Sequence, residues 1–384
     1  MAFTFFCPVK LIFGQPVAEA LPPVLADIGA QRVLLLSDAG LARIGLAGQV
    51  EALLRDAGQQ VATFLEVKTN PTVADVEAAL AVAQAADVDA LVAVGGGSVI
   101  DVGKAVGLLM TNGGRYADYQ WRGQPIRRAI LPLVAAPTTA GTGSEMTKVA
   151  VIEDEETHSK RGVLSPQLFV RAAILDPALT ASLPPGLTAA TGADVLGHAL
   201  EAYAGRRANP VTDTLALDAA RRAWRNLPHA TQNGQDRAAR REMLLASALA
   251  GWAFDQSGLG IIHALAGPLT AQYGLHHGLC IGLLLPYGLA YNLPALGDKR
   301  AGLLSALEMP PTLSDKAIVD RITAWLRGLG LPVSLREVRG VDVAQITEAD
   351  LVAWGQAASA MAMLPNNPRP ATAADCTRIL EGMI

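Results

Sequence analysis

Short apolar runs rich in β-branched residues alternate with helical periodicity up to about residue 178 and then disappear, and this change of pattern constrains the fold more than any other feature. Val33-Leu34-Leu35-Leu36-Ser37, Val61 to Val67, Ala90-Leu91-Val92-Ala93-Val94, Leu131 to Ala136, Val149 to Glu153 and Ala172 to Asp176 read as strands. Leu41 to Ala57 reads as a helix, as does Val73 to Ala86 behind the start signal Asn70-Pro71-Thr72. A strand that is apolar along its whole length is covered on both faces, and parallel neighbours need a connecting helix. Residues 1–178 are therefore expected to form an α/β domain around a parallel sheet. Beyond Asp176-Pro177 the chain turns Ala- and Leu-rich, with helices expected near 187–205, 211–227, 236–256, 261–273, 279–292, 314–329, 347–361 and 372–383. Residues 179–384 are expected to be an all-α domain, and a cleft between two domains is the ordinary place for a ligand.

The length of 384 residues agrees with two cores rather than one. Hydrophobic residues make up 51% and charged residues only 17%, against roughly 25% charged in an average soluble domain. Much surface is therefore expected to be buried, including between subunits. The net charge is −4 and the sequence pI about 5.9, with Lys and Arg scattered, which leaves no basic footprint for nucleic acid or an anionic membrane. Small molecules are the expected partners. Cys7, Cys280 and Cys376 are far apart and form no CxxC pair, as expected of reduced thiols in the cytoplasm. The opening Met-Ala-Phe-Thr-Phe-Phe-Cys-Pro has neither the basic nor the long apolar region of a signal peptide, so no export signal is expected there. Gly278 to Gly297 carries no charge and is long enough to span a bilayer, but Pro286, Asn292 and Pro294 interrupt it. A buried core helix is the expectation.

Two loops carry phosphate chemistry. The strand ending at Val94 runs into Gly95-Gly96-Gly97-Ser98-Val99-Ile100-Asp101, with Lys104 on the helix that follows. Glycines let the backbone approach a phosphate, and the free N–H groups of a helix start favour its charge. The alternative is a tight turn with Ser98 as helix cap. The spacing is not GxGxxG. Pro137-Thr138-Thr139-Ala140-Gly141-Thr142-Gly143-Ser144-Glu145 supplies hydroxyls directly after another strand, where they can bond phosphate, ribose or a nicotinamide amide. Asp38, just past the first strand, is placed to accept from an adenosine ribose and repel a 2′-phosphate, which selects NAD over NADP; helix capping is its alternative role.

In the helical half, Asp194 and His198 stand four residues apart in Thr191-Gly192-Ala193-Asp194-Val195-Leu196-Gly197-His198-Ala199-Leu200-Glu201. On a helix this stacks a carboxylate and an imidazole on one face, able to reach one ion or to form a simple surface pair. Of the six histidines, His263 lies early in a helix that starts near Gly260, and His277 follows fourteen residues later in Leu275-His276-His277-Gly278.

Taken together these elements resemble the iron-dependent, group III alcohol dehydrogenases, within the wider superfamily that includes dehydroquinate synthase. The matching pieces are Gly95-Gly96-Gly97-Ser98 with Asp101 and Lys104, Ala136 to Thr147, Asp176-Pro177-Ala178-Leu179-Thr180, Thr188 to His198, His263, His277-Gly278 and Asn367-Pro368-Arg369, in family order along nearly the whole chain. The resemblance implies an NAD-dependent alcohol dehydrogenase in which residues 1–178 are the α/β dinucleotide-binding domain and residues 179–384 the helical metal-binding domain, with a divalent metal in the cleft between them, and a homodimer or larger assembly. Its metal ligands fall on Asp194, His198, His263 and His277. Its cofactor contacts fall on Asp38, Asn70, Gly97, Ser98, Thr138, Thr139, Thr142, Lys160 and Leu179, with Gly96 and Asp101 in the same glycine segment. Phe254 matches an aromatic of its substrate pocket.

Two positions depart from the family. Gly267 stands where many members have a histidine assigned to proton relay, and His276 stands where Pro is usual before the last ligand. Gly267 is expected to enlarge or dry that side of the pocket, and His276 is expected to be a solvated neighbour. The implied reaction is hydride transfer between NAD(H) and a small alcohol or aldehyde activated by the ion. Imidazole-rich sites suit Fe(II) or Zn(II), and Fe(II) rests on the resemblance. The alternatives are a hydroxyacid-oxoacid transhydrogenase, a maleylacetate-type reductase, or a non-catalytic nucleotide- or metal-binding protein.

Overall fold

The computed structural model describes residues 2–155 and 159–384, except for the side chains of residues 159 and 160. Two compact units are present: residues 7–182, and residues 183–384 together with the first residues through Phe6.

In the first unit the order is β1 (Lys10–Phe13), α1 (Val17–Asp27), β2 (Arg32–Leu36), α2 (Ala39–Arg43), α3 (Leu46–Asp56), β3 (Gln60–Phe64), α4 (Val73–Ala85), β4 (Ala90–Gly95), α5 (Gly97–Asn112), α6 (Tyr116–Trp121), β5 (Leu133–Pro137), β6 (Val149–Asp154), β7 (Ser159–Leu164) and β8 (Ala172–Leu175). Among the described residues six strands form one parallel sheet in the order β1-β8-β5-β4-β2-β3. Side chains alternate across a strand, so Leu34, Leu36, Leu91 and Ala93 join α4 and α5 in one core, whereas Val33, Leu35, Val92 and Val94 join α1 and α3 in the other. The expected α/β sheet covered on both faces is what the chain forms.

Local details differ from the sequence reading for identifiable reasons. Val149 to Glu153 was expected in the parallel sheet; instead β6 pairs antiparallel with β7 in a separate ribbon. Its alternating burial explains this, since Ala150, Ile152 and Asp154 point inward while Val151 faces out, the pattern of a strand with one wet face. Leu41 to Ala57 is two helices, divided at Gly45, whose φ of 81° ends one and starts the next. Helix α1 was not anticipated because Pro22 and Pro23 lie inside it; Leu21, Val24 and Leu25 are buried against the sheet and packing overrides propensity.

The second unit is built from α7 (Pro185–Ala204), α8 (Pro210–Gln232), α9 (Arg237–Ser257), α10 (Ile261–Tyr273), α11 (His277–Asn292), α12 (Lys299–Ala306), α13 (Asp315–Gly328), α14 (Glu348–Ser359) and α15 (Ala373–Glu381), with short 3-10 turns. Among the described residues it has no strand, as expected of an all-α half. The charge-free segment is α11, a core helix: Ile281, Leu283, Leu284 and Leu285 are completely buried. Small residues let α7 lie close to its neighbours. A Cβ at Gly192 would sit 2.2 Å from the Leu227 side chain on α8, and one at Gly197 would sit 2.5 Å from Ile281 on α11. Gly278, the second residue of α11, is tighter still, because its Cβ would fall 2.4 Å from the carbonyl oxygen of Ala190. That approach is against backbone, which cannot rotate away. Gly278→Ala is expected to destabilise the helical unit by about 1–3 kcal/mol, seen as a lower midpoint in denaturant unfolding followed by circular dichroism.

Candidate metal centre and nucleotide loops

Three residues at helical spacing, Asp194, His198 and Glu201, occupy one face of α7, and all are buried. Asp194 Oδ1 is the focus of the group. The Nε2 atoms of His263, His198 and His277 lie 3.5, 3.7 and 3.8 Å from it. These separations are too long for hydrogen bonds. They suit ligands of one ion, because two vertices of a tetrahedron with bonds of ~2.1 Å stand about 3.4 Å apart. The donor atoms of Asp194, His263 and His277 all fall within 4.8 Å of one another. Asp194 Oδ1 and His263 Nε2 are buried polar atoms with no hydrogen-bond partner. A folded chain does not normally leave a carboxylate oxygen and an imidazole nitrogen orphaned side by side, and a shared cation satisfies both.

The neighbours fix how these rings point. Glu201 accepts from the backbone N–H of Ile262 at 2.6 Å through Oε1, and its Oε2 lies 2.6 Å from His263 Nδ1. With Nδ1–H held by a carboxylate, Nε2 is the atom turned toward Asp194, and it would offer its lone pair to a cation that displaces its proton. The start of α10 is pinned from the other side by Asn367, whose Oδ1 accepts from the Ile261 N–H at 3.1 Å and from Asn292 Nδ2 at 2.9 Å. His198 stacks between Phe254 and His263, with ring centroids 4.4 and 4.5 Å away. His277 opens α11 and has a half-exposed side chain.

Charge follows from this arrangement. Burial alone would raise the Asp194 carboxyl, but the three imidazoles outweigh it and hold the group well below the usual carboxylate range. Burial opposes a charged His263, yet Glu201 and Asp194 together push it up to about 9. The pocket is a site of concentrated negative potential, suited to a cation.

Phe254 thus lies against the His198 ring. Gly267 lies one turn beyond His263 on α10, and a Cβ there would meet only the Met361 thioether, at 3.6 Å from Cε and 3.9 Å from Sδ. His276 is the residue that caps α11, and it is half-buried. Glu201 is the buried side chain of this cluster that the residues singled out in the sequence do not include. Its signal was present as the third member of the Asp194, His198 helix face.

In the α/β unit the two loops meet. α5 starts at Gly97 with Gly96 as its cap, so Ser98 is inside the first turn rather than the cap, and its hydroxyl donates to Thr69 O at 2.5 Å. A Cβ on Gly97 would lie 2.6 Å from Thr142 Oγ1, and one on Gly96 would lie 3.4 Å from Thr139 Oγ1. Glycine is therefore required at 97, whereas a Cβ at 96 would make an ordinary contact. Thr138 is buried, and its N–H donates to Gly95 O at 3.0 Å. Asp38 caps α2, accepting from Leu41 N at 2.9 Å. Asn70 is exposed near the start of α4, and Leu179 is buried in the sheet core. Asp101 points inward: it accepts from Ser144 Oγ at 2.5 Å and from Val151 N at 3.0 Å. The side chain of Lys160 lies outside the described residues.

Residues 8–177 match the iron-containing alcohol dehydrogenase family, and residues 188–384 match the C-terminal domain of the Fe-containing alcohol dehydrogenase family. The chain is 36% identical to the NAD-dependent methanol dehydrogenase of Bacillus methanolicus over 385 residues, covering 99% of each protein. Among solved structures it is similar to a 1,3-propanediol oxidoreductase, with a TM-score of 0.94, 34% identity and 100% of both chains covered. It is also similar to the sulfoacetaldehyde reductase of Bifidobacterium kashiwanohense in complex with NAD+, with a TM-score of 0.91, 28% identity, and 100% of this chain and 99% of that one covered.

Beside the threonine loop lies Glu145, 2% exposed, with Oε1 lacking a hydrogen-bond partner. Burial raises its carboxyl from the ordinary 4.5 to about 7, against the pull of Lys104. The folded protein therefore holds this proton more tightly than the unfolded chain. Its contribution to stability is full below 4.5 and is lost as pH rises through 7. Glu145→Gln cannot ionise. Relative to the parent protein it is expected to gain stability as pH rises across this window, by up to about 3 kcal/mol above neutrality, measured as the difference in unfolding free energy at pH 5 and pH 8.

Proposed function

The chain belongs to the iron-containing alcohol dehydrogenase family of NAD-dependent oxidoreductases acting on alcohols and aldehydes, and from that premise we propose that Asp194, His198, His263 and His277 hold one divalent ion that activates a small alcohol or aldehyde. The observation that carries this reading is the convergence of three imidazole nitrogens within 3.5–3.8 Å of one orphaned carboxylate oxygen. The donor set of one oxygen and three nitrogens fits Fe(II), with Zn(II) as the competitor. When bound, such an ion supplies Lewis acidity at the substrate oxygen.

The chain's own groups do the rest. Glu201 fixes the tautomer and angle of His263, and Phe254 covers the face of His198. NAD is held by the loops of the α/β unit. The N–H groups at Gly97 and Ser98 and the Thr139 and Thr142 hydroxyls bind its diphosphate, with Thr138 and Leu179 beside them, and Asp38 and Asn70 take the adenosine side. Met361 and Gly267 give the substrate's carbon chain an apolar neighbour in place of a titratable side chain. Short alcohols and diols are the expected substrates, in line with the methanol and 1,3-propanediol activities named for two relatives. Cys7, Cys280 and Cys376 form no disulfide among the described residues, which suits the reducing cytoplasm, and exposed apolar side chains such as Leu164 suit a homo-oligomer.

Asp194→Ala is expected to reduce bound metal from one ion per chain to almost none and to abolish NAD reduction by short alcohols, with circular dichroism unchanged. Full activity in the metal-stripped Asp194→Ala protein would overturn the assignment. Glu201→Gln is expected to keep the fold while lowering metal affinity by about 10–100-fold in a chelator competition. Unchanged affinity would show that Glu201 does not orient His263.

A further inference from the structure

Helix α10 is buried from Ile261 to Ala266 and again at Pro268 and Leu269, and between them Gly267 is only half-buried. It stands four residues after His263, so it lies on the same face of the helix, one turn farther along. His277, whose ring is tilted against that of His263 at a centroid distance of 5.5 Å, has a half-exposed side chain as well. The opening at Gly267 is thus on the face of α10 that carries His263.

Nothing in the fold calls for glycine here. At Gly192, Gly197 and Gly278 a Cβ would strike a neighbouring helix at 2.2–2.5 Å, and Gly274, with a φ of 61°, takes a left-handed cap. Gly267 lies inside α10, and its Cβ would meet only Met361, at 3.6 Å from Cε and 3.9 Å from Sδ, an ordinary contact. Glycine inside a helix weakens it relative to alanine, so α10 gives up stability at this position with no gain in packing. What the missing side chain leaves is space on the His263 face, walled by a thioether.

Met361 suits a wall that moves. Its N–H donates to Ala358 O at 3.1 Å and its carbonyl accepts from Leu364 N at 3.0 Å, which fixes the backbone and leaves the side chain as the mobile part. That side chain is half-buried, unbranched and apolar. An alkyl chain entering above Gly267 displaces the thioether methyl and keeps contact with it. A hydroxyl or carboxylate on the same chain would lose water there and gain no strong hydrogen-bond partner from Met361.

We propose that the space above Gly267, with Met361 as its movable wall, seats the tail of the substrate and selects linear primary alcohols with unsubstituted alkyl tails, and the matching aldehydes, over diols and hydroxy acids of equal length. Gly267 and Met361 sort substrates in this account and do not hold the ion. The inference rests on the reading that an ion at Asp194 activates a small alcohol, and it names which alcohols those are.

The test is steady-state kinetics of the full chain loaded with Fe(II), for the parent, Gly267→Ala, Met361→Ala and Met361→Gln. The alcohols are ethanol, 1-butanol, 1-hexanol and the matched pair 1-propanol and 1,3-propanediol. The parent is expected to favour 1-propanol over 1,3-propanediol by at least about tenfold in kcat/KM, because the second hydroxyl loses water without pairing. Gly267→Ala fills the space with a methyl group. It is expected to raise the midpoint of denaturant unfolding and to lower the ratio of kcat/KM for 1-butanol to that for ethanol by about fourfold, the worth of one methylene. Met361→Ala lengthens the seat and is expected to raise the ratio for 1-hexanol to 1-butanol by about fourfold or more. Met361→Gln, of similar length but able to bond a hydroxyl, is expected to reduce the preference for 1-propanol over 1,3-propanediol about tenfold. Metal content and the KM for NAD are expected to be unchanged in all three. A lower unfolding midpoint in Gly267→Ala would show that the glycine serves packing and would overturn the proposal. So would equal turnover of 1-propanol and 1,3-propanediol by the parent, or parental ratios in Gly267→Ala. Should either Met361 variant fail to fold, the chain-length ratio of Gly267→Ala decides the matter. A parental chain that oxidises none of these alcohols would overturn the functional reading and the seat with it, whereas turnover with unchanged ratios overturns the seat alone.

Discussion

A carboxylate taken out of water must find donors or positive charge, and the helical unit is arranged around how Asp194 meets that demand. Its Oδ1 has no hydrogen-bond partner, and three imidazole nitrogens lie 3.5–3.8 Å from it, distances that would suit a shared ion. Much else in the unit serves to bring those rings within reach. Gly197 and Gly278 let α7 and α11 approach closely enough for His277 to face Asp194. Glu201 ties the first turn of α10 to α7 and orients His263 in the same contact. Asn367 and Asn292, bonded to each other, close the start of α10 from the C-terminal part of the chain. Each of these is a packing or hydrogen-bond device, and each acts on the position of one ligand atom.

The α/β unit solves a different problem by related means. Its nucleotide loops have no side chain like Asp194 at their centre; their donors are backbone N–H groups and hydroxyls whose value depends on relative position. Lys104 and Asp101 bond to the segment after the threonine loop. Glu145, buried beside them and raised to about 7, shows that this region carries charge at a cost in stability.

The sequence made the larger outlines legible because they depend on periodicity. Continuous apolar strands such as Ala90 to Val94 can only be covered on both faces, and the helical half announces itself by the absence of such runs. The ribbon β6–β7 escaped because a half-buried strand and a fully buried one look alike over six residues unless the register of burial is known. Helix α1 escaped because local propensity counts Pro22 and Pro23 against it, while the sheet that it covers is distant in sequence. At the centre, the spacing of Asp194 and His198 was readable as one turn of helix, but the meeting of α7 with His263 and His277 was available only through family resemblance. Glu201 shows the limit most clearly. Its place on the same helix face was visible, and its partner sixty-two residues away was not.

The proposed sharing of one ion by one oxygen and three imidazoles is tested directly by X-ray absorption of the protein loaded with a single equivalent of divalent metal. The predicted spectrum has a first shell of nitrogen and oxygen at about 2.1 Å, with the outer-shell scattering of three imidazole rings. A first shell containing sulfur, or outer-shell scattering from fewer than two rings, would contradict it.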